Sequence, residues 1–331
     1  MSQIGCASGG ITIGMSTGGT GSEGVGRAGS IRMAVTAAAG FGVVAGMAGA
    51  AVAALLNQAR ATVRVIEQAA IDAAVADGLI PAGQVVARAL VAQLPVPRAD
   101  GVYLPDGSLQ AETYAPVGFS GLRPIVLAML GDSTAVGYGT RDAAETPGVM
   151  LAKGLASELA RPVRLQTHGL SGCGASDLPR QIAEALPGHP DVVVIVVGAN
   201  DIRNKVPPKR SADHLGEAVR TLRAESIPVV VGTCPDFGVI EPIPQPLRSV
   251  LHTWSMLLAT LQERAVLAEG GRSVPVGRLV SPEFANHPEL FAGDHFHPSG
   301  AGYAKAVAAL LPPTLEELRG AVAAQQSSGA A

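Results

Sequence analysis

Five apolar runs, at 124–130, 163–167, 191–197, 228–233 and 274–280, alternate with helical stretches from residue 124 onward. Each is of strand length, and most are unbroken series of Val, Ile, Leu and Ala, the pattern of strands buried on both faces. Between them, 149–160, 178–186, 212–225 and 247–269 read as helical, and a last helix should begin after Pro298-Ser299 and end near Leu311. A chain that repeats strand, helix, strand has few ways to cover its strands. Right-handed crossovers place the helices on both faces of one parallel sheet. The expectation is an α/β fold, a three-layer α/β/α sandwich around a five-stranded parallel sheet. Ligands of such sheets collect outside the carboxyl ends of the strands. Ser133, Gly172, Asn200 and Cys234 each fall just past such an end.

Upstream residues follow other rules. The stretch 1–32 is dominated by Gly, Ser and Thr, too little apolar surface to offset chain entropy, which predicts a disordered tail. Gly19-Thr20-Gly21-Ser22-Glu23-Gly24 matches G-x-G-x-x-G. With no strand before it and no helix signalled after it, it does not predict a dinucleotide site. From Met33 to Leu56 there is no charge, and Thr36 is the only polar side chain. About 20 apolar residues span a bilayer, so a transmembrane helix or signal anchor is expected here. A signal h-region is shorter, about 7–15 residues. The small-x-small Ala51-Val52-Ala53 leaves a cleaved signal as one alternative, and an Ala/Gly-rich packed helix is the other. Arg27 and Arg32 balance Arg60 and Arg64, so the flanking charges set no orientation. Gly42-Val43-Val44-Ala45-Gly46 is a G-x-x-x-G that would suit pairing two such helices in a homodimer. Residues 57–121 are expected to form a juxtamembrane helix, broken at Asp77-Gly78 and Pro81, then an irregular connector marked by Pro95, Pro97, Asp100-Gly101, Pro105-Asp106-Gly107 and Pro116. A catalytic domain over 122–315 and a flexible tail over 316–331 complete the layout.

The net charge of −3, with Lys and Arg scattered, gives no footprint for nucleic acid. Cys6, Cys173 and Cys234 are too few and too spread for a disulfide framework or a zinc site. Free thiols are expected over a Cys173–Cys234 bridge. The chemistry lies elsewhere. The run 124–130 leads into Gly131-Asp132-Ser133-Thr134-Ala135-Val136-Gly137, which lifts a serine hydroxyl above the sheet edge. Asp294-His295-Phe296-His297-Pro298 places an acid three residues before a histidine. Serine is a poor nucleophile without a base in reach, and an imidazole base needs a partner to fix its tautomer. Taken alone, a Gly-Asp-Ser turn is common in α/β proteins. Asp294, His295 and His297 are also metal-ligand types, though no further ligand cluster accompanies them. Gly169-Leu170-Ser171-Gly172-Cys173 nearly imitates a G-x-S-x-G elbow, which makes Ser171 the rival nucleophile. Its last position is Cys, and elbow enzymes take their acid and His from separate segments, whereas Asp294 and His297 arrive together.

Gly131-Asp132-Ser133, Gly172 at the end of 167–172, Gly198-Ala199-Asn200-Asp201, and Asp294 with His297-Pro298-Ser299-Gly300-Ala301-Gly302-Tyr303 follow one another in this order. Together they resemble the blocks of the SGNH (GDSL-type) hydrolase family, over about 124–311, the second block being the looser match. The resemblance implies the flavodoxin-like SGNH fold. It implies Ser133 as nucleophile, His297 rather than His295 as base, and Asp294 as the acid that orients it. It further implies an oxyanion hole made of the Ser133 and Gly172 backbone N–H groups and the Asn200 side-chain amide, with no metal and no organic cofactor. The anchor-plus-domain layout resembles exported esterases of high-GC Gram-positive bacteria.

The expected activity is hydrolysis of carboxylic esters through an acyl-enzyme. Short-chain acyl or lipid esters are favoured, because aromatics, 3% of the chain, are scarce for a carbohydrate-stacking groove. Thioesterase, sugar O-acetylesterase and acyltransferase chemistry would use the same residues. A non-catalytic, membrane-tethered binding module is the rival of another class. Residues 234–236 and 241–248 are expected to wall the pocket. The chain should be held at a membrane by 33–56 with its catalytic domain outside the cytoplasm, or secreted if the signal is cleaved. A chain starting near Pro95 should then stay active.

Overall fold

The strand Ile125–Gly131 is buried at every residue, which forces cover on both of its faces. The computed structural model describes residues 31–81, 96–110 and 123–329, with side chains in these segments from 49 to 321. The 1–30 stretch with Cys6 and the Gly19–Gly24 motif, the helix expected over 82–94, and the connector residues 111–122 lie outside the described residues. Strands are β1 (Gly101–Tyr103), β2 (Leu109–Gln110), β3 (Ile125–Gly131), β4 (Val163–Thr167), β5 (Val192–Val196), β6 (Val229–Gly232) and β7 (Arg272–Val274). Helices are α1 (Ile31–Ala76), α2 (Ser133–Val136), α3 (Pro147–Leu159), α4 (Leu178–Ala185), α5 (Ala199–Arg203), α6 (Pro208–Ala224), α7 (Leu247–Ala268), α8 (Val276–Leu279), α9 (Ser281–Phe284) and α10 (Gly300–Gly329).

The sheet order is β2-β1-β4-β3-β5-β6-β7. From β4 to β7 all neighbours are parallel, in the flavodoxin-like order. Successive side chains of a strand face opposite ways, and β3 shows the consequence. Leu127 and Met129 pack with Val149 and Leu155 of α3 and with Leu310, Leu315 and Leu318 of α10. Ala128 and Leu130 pack on the other face with Leu178 and Ile182 of α4 and Leu215, Val219 and Leu222 of α6. The three layers are therefore those expected.

Four expectations need correction. The sheet is mixed and seven-stranded among the described residues, because β1 and β2 extend it antiparallel beyond β4. The Pro105-Asp106-Gly107 turn closes a hairpin, with Leu104 N–H donating to the Ser108 carbonyl at 2.9 Å, rather than a loose connector. The last parallel strand is Arg272–Val274, and 276–279 is helical. Pro275 ends the ladder because it has no N–H to donate. Helix α10 continues through Pro312 and Pro313 instead of stopping at Leu311. Burial of Leu315 and Leu318 in the core offsets the backbone bonds the prolines remove.

Fourth, α1 does not break between 33–56 and the helix expected after it. It is one helix over 31–76, ending at the expected Asp77-Gly78 break. Among the described residues no helix is long and apolar enough to cross a membrane. Side chains of 31–48, including Gly42 and Gly46, lie outside the described residues. Contacts divide the chain into a unit ending at Ala53 and a unit from Ala54 that contains the whole sheet. Within the second unit α1 is amphipathic. Ala59, Thr62, Ile66, Ala70 and Ala74 form one covered stripe, while Asn57, Arg60, Arg64, Gln68 and Asp72 are exposed.

Candidate active site

Strands β3 and β5 adjoin where the strand order reverses, and the loops leaving β3, β4 and β5 converge there, the ordinary ligand position in such sheets. Gly131 ends β3 at φ +131°, and a Cβ there would lie 1.9 Å from the Val196 carbonyl oxygen. Only glycine lets the two strands close at this point. Gln181, fully buried on α4, clamps the same residue: its amide donates to the Gly131 carbonyl at 2.9 Å and its oxygen accepts from the Gly131 N–H at 2.7 Å. Asp132 then caps α2, accepting from the Thr134 N–H at 2.9 Å. Ser133 therefore occupies the first position of a helix, where its N–H has no intrahelical partner.

Residue Asp294 approaches from the loop before α10. Its Oδ1 accepts the N–H groups of Phe296 and His297 at 3.0 and 2.9 Å, and its Oδ2 lies 2.6 Å from His297 Nδ1. His297 Nε2 lies 3.1 Å from Ser133 Oγ. A carboxylate on Nδ1 fixes the tautomer with its proton there, so Nε2 accepts the serine O–H. Asp294 is 4% exposed and Ser133 6%. Burial by itself would raise the Asp294 carboxyl, but the charge of His297 and the three hydrogen bonds hold it below its ordinary value. Burial pushes Asp132 up to about 6, against its hydrogen bonds to Thr134 and Gly198 and the charge of His297.

The remaining predicted residues sit around this line. Gly172, exposed at φ +88°, lies in the loop after β4. Asn200 is buried at the start of α5, and its Nδ2 donates to the Cys173 carbonyl at 3.0 Å. That bond fixes the amide plane beside the Gly172 loop and leaves the second amide hydrogen to donate elsewhere. Ser171 is half-buried and is not a partner of His297, whose ring bonds go to Ser133 and Asp294. His295 is exposed at φ +56°. Among the described residues no group of three His, Cys, Asp or Glu stands together as metal ligands. Cys173 and Cys234 are free and buried. Burial raises both thiols, Cys234 well above its ordinary value.

Sequence reasoning missed the residues that hold the imidazole. Tyr138 and Phe296 flank His297, with ring centroids 4.5 and 5.0 Å away. Tyr303, fully buried, donates its hydroxyl to the Tyr138 carbonyl at 2.7 Å. A Cβ on Gly139 would meet Ala292 Cβ at 2.8 Å and His297 Cβ at 3.3 Å, so the serine and histidine loops touch. Aromatic identity at 138 and 296 was visible, but periodicity carries no signal for residues of two loops as far apart in sequence as those of Ser133 and His297, 164 positions.

The model of the GDSL-like Lipase/Acylhydrolase family matches residues 129–305, just over half the chain. The chain belongs to this family. A GDSL-like esterase of Mycobacterium tuberculosis is 45% identical over 215 residues, covering 63% of this chain and 67% of that protein. Among solved structures, TesA is 22% identical with a TM-score of 0.46, over 58% of this chain and 99% of its own. Axe2, an acetyl-xylooligosaccharide esterase of Geobacillus, is 18% identical with a TM-score of 0.47, over 57% and 94%. This protein is thus an SGNH/GDSL hydrolase, and every residue of the hydrogen-bonded line from Ser133 to Asp294 falls inside the matched region.

Proposed function

We propose that this SGNH/GDSL hydrolase is a serine esterase that cleaves short-chain acyl or lipid esters with Ser133, His297 and Asp294. The observation that carries the reading is the continuous bond line, 3.1 Å from Ser133 to His297 and 2.6 Å from His297 to Asp294. Ser133 Oγ attacks the ester carbonyl carbon as its proton passes to His297 Nε2. Asp294 holds the imidazolium that results. The Ser133 and Gly172 N–H groups and the second Asn200 amide hydrogen donate to the oxyanion. Collapse expels the alcohol, which takes the proton from His297, and water then releases the acid by the same steps in reverse order. The scarcity of aromatics supports small acyl or lipid substrates over long oligosaccharides.

A fluorophosphonate probe tests the site, and p-nitrophenyl esters from acetyl to palmitoyl, run beside acetylated sugars, test the substrate. Labelling at Ser133 with turnover of the esters is expected. Turnover confined to thioesters or acetylated sugars would replace the substrate class, and absence of labelling would remove Ser133. The uncharged run 33–56 supports membrane attachment, and a catalytic part outside the cytoplasm is the side we propose for it. Resistance of the full chain to carbonate extraction, with protease access in intact cells, is the expected result, and an unprocessed, wholly soluble chain in the cytosol would exclude it.

A further inference from the structure

From Leu55 to Asp77 the chain touches the segments that build the site. Leu55 and Ala59 pack on a buried cluster around Ile202, Phe237 and Leu258, against which Phe291 and Phe296 of the His297 loop also pack. Gln58 donates to the Gln245 carbonyl at 3.0 Å, in the segment between β6 and α7. Glu67 lies 3.7 Å from Arg203, three residues beyond Asn200, and Asp77 pairs with Arg141 at 2.8 Å, beyond Ser133 and Tyr138. These ion pairs are exposed and hold little by themselves. The tightest approach is apolar. A Cβ on Gly293, the residue before Asp294, would stand 2.7 Å from Ala73 Cβ. Gly293 is not among the glycines with positive φ, so the position needs the absence of a side chain rather than a special backbone.

We propose that α1 is a positioning element of the active site, and that the Ala73–Gly293 contact sets where Asp294 and His297 stand relative to Ser133. The inference rests on those three residues being the catalytic triad. Asp294 binds the Phe296 and His297 amides through Oδ1, so the turn moves as one body. A push at Gly293 therefore carries acid and base away from Ser133 together, opening the 3.1 Å bond while leaving the 2.6 Å bond in place. Misplacement by about 1 Å costs on the order of 100-fold in rate.

The test is made on the full chain. Gly293→Ala should lower kcat about 10- to 100-fold with KM for p-nitrophenyl butyrate and the melting temperature little changed. In Ala73→Gly/Gly293→Ala the new methyl faces the helix Cα at 3.8 Å, an ordinary contact, and kcat should return to that of Ala73→Gly alone. The 15N chemical shift of His297 Nε2, which reports its bond to Ser133 without turnover, should move in Gly293→Ala and return in the double variant. Ala73→Val repeats the push from the helix side with Gly293 native, and decides the matter if Gly293→Ala does not fold. Normal kcat in Ala73→Val, or a loss in Gly293→Ala that Ala73→Gly does not relieve, overturns the inference. An inactive wild type, or a fully active Ser133→Ala, defeats the triad reading instead.

Discussion

At the residue scale, the bond line has a direction: the Asp294 carboxylate fixes the Nδ1 proton, and that leaves Nε2 to accept from Ser133. Removing the hydroxyl should cost kcat about a thousandfold or more with the fold intact. Ser171→Ala, outside the line, should cost less than about threefold by the same measure, and equal losses in the two variants would point back to the elbow-like alternative. Asp132 makes a second prediction. Its carboxyl is raised from 3.8 to about 6 by burial, so the folded state binds its proton more tightly than the unfolded chain. That contribution to stability is complete below pH 4 and is lost as pH rises through 6. The unfolding free energy of the wild type relative to Asp132→Asn should therefore fall by about 3 kcal/mol between pH 4 and pH 7. Urea unfolding at the two pH values measures it, and a constant difference would mean that Asp132 is charged throughout.

At the scale of elements, legibility followed burial. Strands β3, β5 and β6 were plain because runs such as Val192–Val196 have both faces covered and so no polar positions. Ser133, Asn200, Asp294 and His297 were plain because each sits in a short motif tied to a strand end or a single turn. Strand β7 was displaced because Arg272 and Ser273 are polar and the apolar residues follow Pro275. The β1–β2 hairpin hid behind its own turn residues, since Pro-Asp-Gly marks a tight turn and a loose loop alike. Gln181 and Gln262, both fully buried, carry no sequence signal at all. They are spent on backbone: Gln262 accepts from the Cys234 N–H at 2.7 Å and donates to the Val197 carbonyl at 3.0 Å. Helix α10 runs past the end expected near Leu311, because residues beyond it are core. Leu318, 3% exposed among Leu127, Leu155 and Leu315, belongs to the core. Leu318→Ala should destabilise by about 2–5 kcal/mol with kcat of the folded fraction unchanged. A cost below about 0.5 kcal/mol, the range of surface changes, would return those residues to a tail.

For the whole molecule, the consequence is where the catalytic body begins. A catalytic domain over 122–315, preceded by a juxtamembrane helix and connector over 57–121, makes everything before Pro95 dispensable. The structure instead buries Thr62, Ala70, Ala74 and Ile80 and packs Leu55 and Ala59 on the same buried cluster, around Ile202, Phe237 and Leu258, that Trp254, Phe291 and Phe296 cover. Removing α1 would uncover a contiguous apolar surface beside the His297 loop, the kind of patch that drives association, and would release Gly293 from Ala73. A chain starting at Ala54 keeps every one of these contacts, whatever the residues before it do at a membrane. The Ala54 chain should therefore match the kcat of the full protein, whereas one starting at Pro95 should aggregate or lose at least tenfold in kcat, by about the rate sensitivity of a misplaced base. Size-exclusion chromatography with ester turnover on the two chains decides between these layouts. If the Pro95 chain were monomeric and fully active, α1 would be a passenger and the catalytic body would begin with the β1–β2 hairpin.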